Sequence, residues 1–258
     1  MTLSKNRIKY IHSLELKKKR RDDQVFVAEG PKLAGELLGR FPCRFLAATH
    51  EWLQAFPNAK ADEVVEVTDE ELSKAGFLKT PQQVLAIFQQ PEYEMDADVA
   101  QASLCLALDD VQDPGNLGTI IRLADWFGIE HVFCSLHTAD IYNPKAVQAS
   151  MGAIARVKVH YTSLFQVLSS LSGCPVYGTF LDGKNIYQES LSSHGLIVMG
   201  NEGNGISRDI AGLIGKRLYI PHYPEGRQTS ESLNVAIATA ITCAEFRRQM
   251  MANDGRLK

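Results

Sequence analysis

The chain predicts an α/β protein of two domains, and three observations carry that expectation. Short apolar runs alternate with segments of helical spacing throughout its 258 residues. The apolar runs of the second half are near-continuous, as in parallel strands covered by helices on both faces. Residues 89–98 (QQPEYEMDAD) form a polar, acidic, proline-containing break, which sets domains of 1–92 and 99–258.

In the first half, residues 4–20 read as a helix, with Ile8, Ile11, Leu14 and Leu16 forming an apolar stripe between cations. A strand follows at 24–28, and Pro31 opens a helix whose apolar positions are Leu33, Ala34, Leu37 and Leu38. Strand patterns lie at 43–48, 63–67 and 83–88, with helical pieces at 51–55 and 69–76. In the second half, strands are expected at 103–108, 131–134, 156–160, 175–180, 195–199 and 217–220. Helices are expected at 116–127, 143–152, 163–171, 206–213 and 231–250.

Composition is that of an ordinary globular protein, with 45% hydrophobic and 22% charged residues. No apolar run reaches the roughly 20 residues of a membrane span, and the N-terminus lacks a secretory apolar core. The five cysteines are odd in number and never form C-x-x-C, which argues against a disulfide framework or a zinc site. Cys105 and Cys134 read as small buried hydrophobes. A reducing cytoplasm is the simplest home. The histidines are scattered: His131, His160 and His194 adjoin strands and read as structural, and His222 has no evident partner. No metal site is expected.

The net charge is −3, but its distribution matters more than its sum. Lys5, Arg7, Lys9, Lys17, Lys18, Lys19, Arg20 and Arg21 crowd the N-terminus against Glu15 alone. Such a run is either a solvated helix face or a phosphate-binding patch.

Three segments can carry chemistry, each where an apolar strand gives way to a loop or helix. The first is Asp113-Pro114-Gly115-Asn116-Leu117-Gly118, followed by Arg122. Asn116 can cap the helix, Leu117, Ile120, Ile121 and Ala124 form its buried stripe, and Asn116, Thr119, Arg122 and Trp126 share another face. Arg122 either reaches a phosphate bidentately or pairs with a carboxylate such as Asp125. The second is Met199-Gly200-Asn201-Glu202-Gly203-Asn204-Gly205, whose glycine spacing fits neither a P-loop nor a dinucleotide fingerprint. Its Glu202 is a hydrogen-bond acceptor at the site or an anchor for a cation. The third is Ile220-Pro221, then a polar loop, then Ser232-Leu233-Asn234-Val235. Ser230 is a candidate N-cap, Asn234 sits in the first turn, and Leu233, Ile237, Ala240, Ile241 and Ala244 give the apolar face. Ala236, Ala238 and Ala240 suit close packing, internally or against a second subunit.

In order and spacing these segments resemble the three motifs of the SpoU/TrmH branch of the SPOUT methyltransferases, over about residues 103–250. The basic helix with Phe26-Val27-Ala28-Glu29-Gly30 also resembles the substrate-binding domain of SpoU enzymes, a small α/β fold like that of certain ribosomal proteins. The resemblance implies a parallel-sheet domain with a deep trefoil knot, a homodimer, and transfer of a methyl group from S-adenosylmethionine to a ribose 2′-hydroxyl of RNA, ribosomal in preference to transfer RNA. It places Gly200, Ile220 and Leu233 on the cofactor, with Thr179, Leu181, Asn201 and Gly203 as neighbours. It places Asn116, Arg122, Glu202, Ser232 and Asn234 around the reacting ribose. The loop before Ser232 is longer than in many members and adds Glu225, Arg227 and Glu231. Competing readings are a methyltransferase acting on a base nitrogen, a catalytically silent RNA-binding assembly factor, and a nucleotide-binding oxidoreductase, the last disfavoured by the missing fingerprint.

Overall fold

The structure is a computed structural model describing residues 3–80, 82–224, 227, 232–253 and 255. Ser230, Glu225 and Glu231 of the long loop lie outside the described residues. By packing, the chain divides into two compact units: Met1–Glu92 with Asp140–Arg156, and Tyr93–Ala139 with Val157–Lys258.

The first unit begins with two helices where the apolar stripe suggested one. Helix α1 (Lys5–Ser13) is capped by Ser4, and α2 (Lys17–Asp23) follows a sharp turn. The turn lets Ile11 and Leu14 bury completely while Leu16 is left outside. After α2, Gln24 adopts a left-handed φ of 53° and leads into β1 (Val25–Glu29), buried along its whole length. Then come α3 (Pro31–Leu37), with proline at its first turn, β2 (Cys43–Ala48), α4 (His50–Ala55), β3 (Val64–Glu66), α5 (Asp69–Ala75) and β4 (Val84–Gln89). Thr68 and Glu71 close a reciprocal capping box on α5. The sheet order is β1-β4-β2-β3, with β4 antiparallel to both neighbours and β2 parallel to β3.

The second unit supplies β5 (Leu104–Leu108), α6 (Pro114–Trp126) and β6 (His131–Cys134). The chain then gives the first unit α7 (Pro144–Ser150) and resumes with β7 (Lys158–Tyr161), α8 (Leu164–Ser170), β8 (Val176–Asn185), β9 (Gly195–Met199), α9 (Arg208–Ala211), β10 (Lys216–Tyr219) and α10 (Val235–Asn253). The order β10-β8-β9-β5-β6-β7 is parallel at every pairing. Cys105 and Cys134 are fully buried within it, and burial pushes the Cys105 thiol up to about 11.

This order contains a reversal. From β5 the chain builds outward through β6 and β7, then returns to add β9 on β5's other side. In open α/β sheets ligands bind at the carboxyl ends of strands where the order reverses, here β5 and β9. Strand β8 is longer than its apolar run suggested. Its pairing with β10 jumps from Gly178 to Lys184, so residues 179–183 bulge out of register.

Candidate active site

The first and second segments leave the sheet at β5 and β9. Asp113, not Asn116, caps α6: its side chain accepts from the Asn116 backbone N–H at 2.8 Å. Pro114 starts the helix, where a missing N–H costs nothing. Asn116 is therefore in the first turn with its amide free for longer contacts, and it uses both ends. Its Nδ2 donates to Glu202 Oε1, and its Oδ1 accepts from Asn234 Nδ2 at 3.1 Å. One residue from each segment thus joins a single hydrogen-bonded chain, Asn234 to Asn116 to Glu202. Glu202 is an acceptor at the site.

Asn234 has a second task. Its Oδ1 accepts from the N–H groups of Ala236 and Ile237, at 3.0 and 3.3 Å, so it caps α10. The helix begins at Val235, four residues later than its apolar pattern suggested. At the far ends, Arg247 of α10 donates to the carbonyls of Phe127 and Gly128, at 2.7 and 3.1 Å, as α6 terminates. The two helices therefore run side by side in one direction, with both N-termini at the Asn116–Asn234 contact. Two positive dipole ends meet there, a setting that favours anions.

The second segment is a closed turn. Asn201 and Gly205 exchange both backbone hydrogen bonds at 2.9 Å. The Asn201 side chain accepts from Gly203 and Asn204 N–H, at 2.8 and 3.0 Å, and donates to the Asp110 carbonyl at 2.8 Å. A Cβ on Gly200 would strike the backbone of Gly205 and Ile206. That glycine is demanded by the turn's own closure.

Beside this turn lies a cavity of about 550 Å³, in the range of small-molecule pockets. All seven residues expected at the cofactor line it: Thr179, Leu181, Gly200, Asn201, Gly203, Ile220 and Leu233. Glu202 and Ser232 line it too. The β8 bulge delivers Thr179, Phe180 and Leu181. Phe180, Ile206, Tyr219 and Ala238 also line it and were not singled out in the sequence. Apolar side chains without a motif carry no signal for lining a cavity rather than filling a core. Among the described residues the lining includes no lysine or arginine, so these offer no cation to a polyphosphate. Leu181 is 71% exposed and Leu233 46%, apolar surface that a bound ligand would cover. A neutral or cationic ligand with a flat apolar portion fits this set.

Arg122 lies outside both the cavity lining and the Asn chain. It is exposed on α6, two turns beyond the cap, and among the described residues it makes no ion pair or hydrogen bond, Asp125 included. Trp126, one turn further, is 83% exposed, while Leu117, Ile120, Ile121 and Ala124 are wholly buried as expected. His222 does have a partner, the Tyr219 hydroxyl at 2.6 Å.

The N-terminal cations, all in the other unit, have different surroundings. Arg20 is 1% exposed and cannot face RNA. Its Nη1 donates to the carbonyls of Leu14 and Glu15, at 2.8 and 2.6 Å, and its guanidinium pairs with Asp140. It is a structural residue that satisfies the carbonyls released where α1 ends. Arg7 pairs with Glu63, Lys19 with Asp23 at 2.8 Å, and Arg21 with Asp22 at 3.6 Å. Lys5, Lys9, Lys17 and Lys18 are exposed.

A parallel α/β sheet with a ligand cavity and a polar chain at its reversal is the arrangement of a ligand-binding site of the open α/β class. The sequence profile described as the SpoU rRNA methylase family matches residues 103–244, and that of the MRM3-like substrate binding domain matches residues 5–86. The chain belongs to the SpoU rRNA methylase family. It is 32% identical to the 23S rRNA (guanosine(2553)-2′-O)-methyltransferase RlmP of Bacillus subtilis, over 93% of this chain and 96% of that protein. It is 43% identical to a structure from the TrmH family of RNA methyltransferases of Porphyromonas gingivalis, with a TM-score of 0.85, covering 96% of this chain and 100% of the other. An AdoMet-bound rRNA methyltransferase from Sinorhizobium meliloti aligns at 30% identity and a TM-score of 0.82, covering 97% of each chain.

Proposed function

We propose that this protein transfers a methyl group from S-adenosylmethionine to a ribose 2′-hydroxyl of ribosomal RNA. The observation that carries the reading is the Asn234–Asn116–Glu202 chain at the rim of a cavity whose described lining residues include no cation. The cofactor, when bound, supplies a methyl group activated by its positive sulfur. The chain's residues provide position and charge. Leu181, Ile220 and Leu233 would cover apolar parts of the cofactor, and the Gly200–Gly205 turn would present backbone to it. Asn116 and Asn234, fixed by each other, orient the ribose with Ser232. Glu202 holds Asn116 in register.

Asn116, Asn234 and Ser232 would hold the 2′-oxygen in line with that methyl group, and the hydroxyl proton would pass to water. Orientation accounts for much of such a rate. Arg122 stays protonated, as arginines do. It grips the neighbouring phosphate, and its charge and the two converging helix N-termini stabilise the developing alkoxide.

Residues 1–92 form the RNA-binding domain in this reading, with Lys5, Arg7, Lys9, Lys17, Lys18, Lys19 and Arg21 as its phosphate contacts. Residues 99–258 form the catalytic domain, its C-terminal part threaded as a trefoil knot. The enzyme works in the cytoplasm as a homodimer. One observation favours the dimer. The expected buried face of α10 is not buried in the single chain: Ile237 is 53% exposed, Ala244 is exposed, and Ala240 and Ile241 are part-buried, while Val235, Ala236, Thr239, Thr242, Cys243, Glu245 and Phe246 are buried instead. The helix therefore has two apolar faces, and the outer one is available to a second copy.

The test is methyl transfer from labelled S-adenosylmethionine to ribosomal RNA, with nucleotide-resolution mapping of 2′-O-methylation in cells lacking the protein. A site that disappears on deletion and returns with purified enzyme is expected. RNA binding without cofactor binding or transfer defeats the proposal in favour of an assembly factor.

A further inference from the structure

The methyl-transfer reading gives no role to the residue directly beneath the glycine turn. Asp109 follows the last residue of β5 and is 7% exposed. Its backbone N–H donates to the Met199 carbonyl at 2.9 Å, continuing the β5–β9 ladder by one step. Its Oδ2 accepts from the Ser207 N–H at 2.8 Å. Met199 enters the turn and Ser207 leaves it, so Asp109 grips both ends of the segment that lines the cavity.

The next residue completes the clamp. Asp110 adopts a left-handed φ of 61°, which turns its carbonyl toward Asn201 Nδ2 at 2.8 Å. Its own N–H is held by Ser135 Oγ at 3.0 Å. Ser135 contacts Thr138 Oγ1 at 3.0 Å, and that hydroxyl donates to the Leu108 carbonyl at 3.0 Å. The turn is thus fastened at its entry, middle and exit to the end of β5.

We infer that Asp109 is a positioning residue for the proposed reaction: through Ser207 and Met199 it holds the glycine turn at the cofactor cavity and keeps Glu202 within reach of Asn116. The inference rests on the proposed cofactor, so its test separates the two. Calorimetric titration of S-adenosylmethionine into the full chain compares wild type with Asp109→Ala, Asp109→Asn and Ser207→Pro. Asparagine retains an oxygen that can accept from Ser207. Proline at 207 suits the residue's φ of −60° and removes the N–H donor, and Ser207 makes no side-chain cap bond that would be lost with it.

Removal of a charge-assisted hydrogen bond predicts at least about tenfold weaker binding for Asp109→Ala and Ser207→Pro, and near-normal binding for Asp109→Asn. The double variant is expected to bind no worse than either single one, because both break one contact. Ser163→Ala, which removes the α8 cap, controls for general destabilisation and should leave binding unchanged. Wild-type affinity in Ser207→Pro, an additive double variant, or equal weakening in Ser163→Ala overturns the inference. Should Asp109→Ala fail to fold, the Ser207→Pro and Asp109→Asn titrations decide. A wild-type protein that binds no cofactor defeats the functional reading instead.

Discussion

Arg20 and Arg122 lie in different units and have opposite surroundings. Arg20 is closed off, with its donors spent on two carbonyls and a carboxylate. Arg122 is exposed, with no bond to the described residues. The residue inside the dense basic run is the structural one. The isolated arginine on a helix is the one left able to bind something. A cation's availability depends on what has already satisfied its donors, and the number of cations around it says little.

The largest expected effect tests the closed half of the comparison. Arg20→Met strands Asp140 and the Leu14 and Glu15 carbonyls, so it should cost about 3–5 kcal/mol of stability. For a chain of this size that is a fall in Tm of roughly 10 °C, measurable by calorimetry. The protein that remains folded should transfer methyl groups normally. If Arg20→Met instead abolishes RNA binding with no loss of Tm, the assignment of Arg20 as structural is wrong.

Arg122→Ala tests the open half and should invert the pattern. Stability should change by no more than about 0.5 kcal/mol, as for other exposed positions. The kcat should fall by about 10²–10³, the usual consequence of removing a donor that stabilises transition-state charge. Arg122→Lys should recover only part of this, since an ammonium cannot bind a phosphate bidentately. Near-normal turnover with lysine would show that the guanidinium geometry is not needed.

The same contrast explains what was legible in the sequence. The parallel sheet and the α6 stripe could be read, because near-continuous apolar runs and 3.6-residue spacing each reflect a local physical demand, whereas the cavity-lining residues Thr179, Leu181, Ile220 and Leu233 were reached only through the family resemblance. Arg20 could not be singled out. A run of cations has no period that says which one turns inward, and the break after Leu14 that creates its carbonyl partners was hidden inside a continuous apolar stripe. The α6 cap was misplaced by three residues, because Asp113 and Asn116 are both good capping residues and only the tertiary contact to Glu202 tells them apart. The exposed face of α10 failed for another reason: Thr239 and Thr242 bury on the helix by donating to the Val235 and Ala238 carbonyls. Hydropathy ranks those threonines below Ile237, which points outward. The β8 bulge depends on pairing with a strand some forty residues later, beyond the reach of any local pattern.

His160 adds a third case, a basic residue that is buried and kept neutral. It is 5% exposed, stacked on Phe133 and His131, with its Nε2 at 3.2 Å from His131 Nδ1. Burial, then the charges of His131 and Lys158, lower its pKa to about 4. His131 is shifted down as well, by burial and by Lys158, with Glu130 and Asp96 opposing. The unfolded chain, with a histidine pKa near 6.5, binds the proton first on acidification. Stability from the buried neutral ring is therefore fully present above about pH 6.5 and is lost as pH falls toward 4. The loss should be on the order of 2 kcal/mol between pH 7 and 5, smaller than the Arg20 effect, and read as a falling urea midpoint. His160→Phe keeps an aromatic ring on Phe133 and removes the titration, so its midpoint should vary less over that window. An unchanged pH dependence in that variant would move the acid sensitivity elsewhere. It would also show that this sheet tolerates a buried cation at His160 as the first unit tolerates one at Arg20.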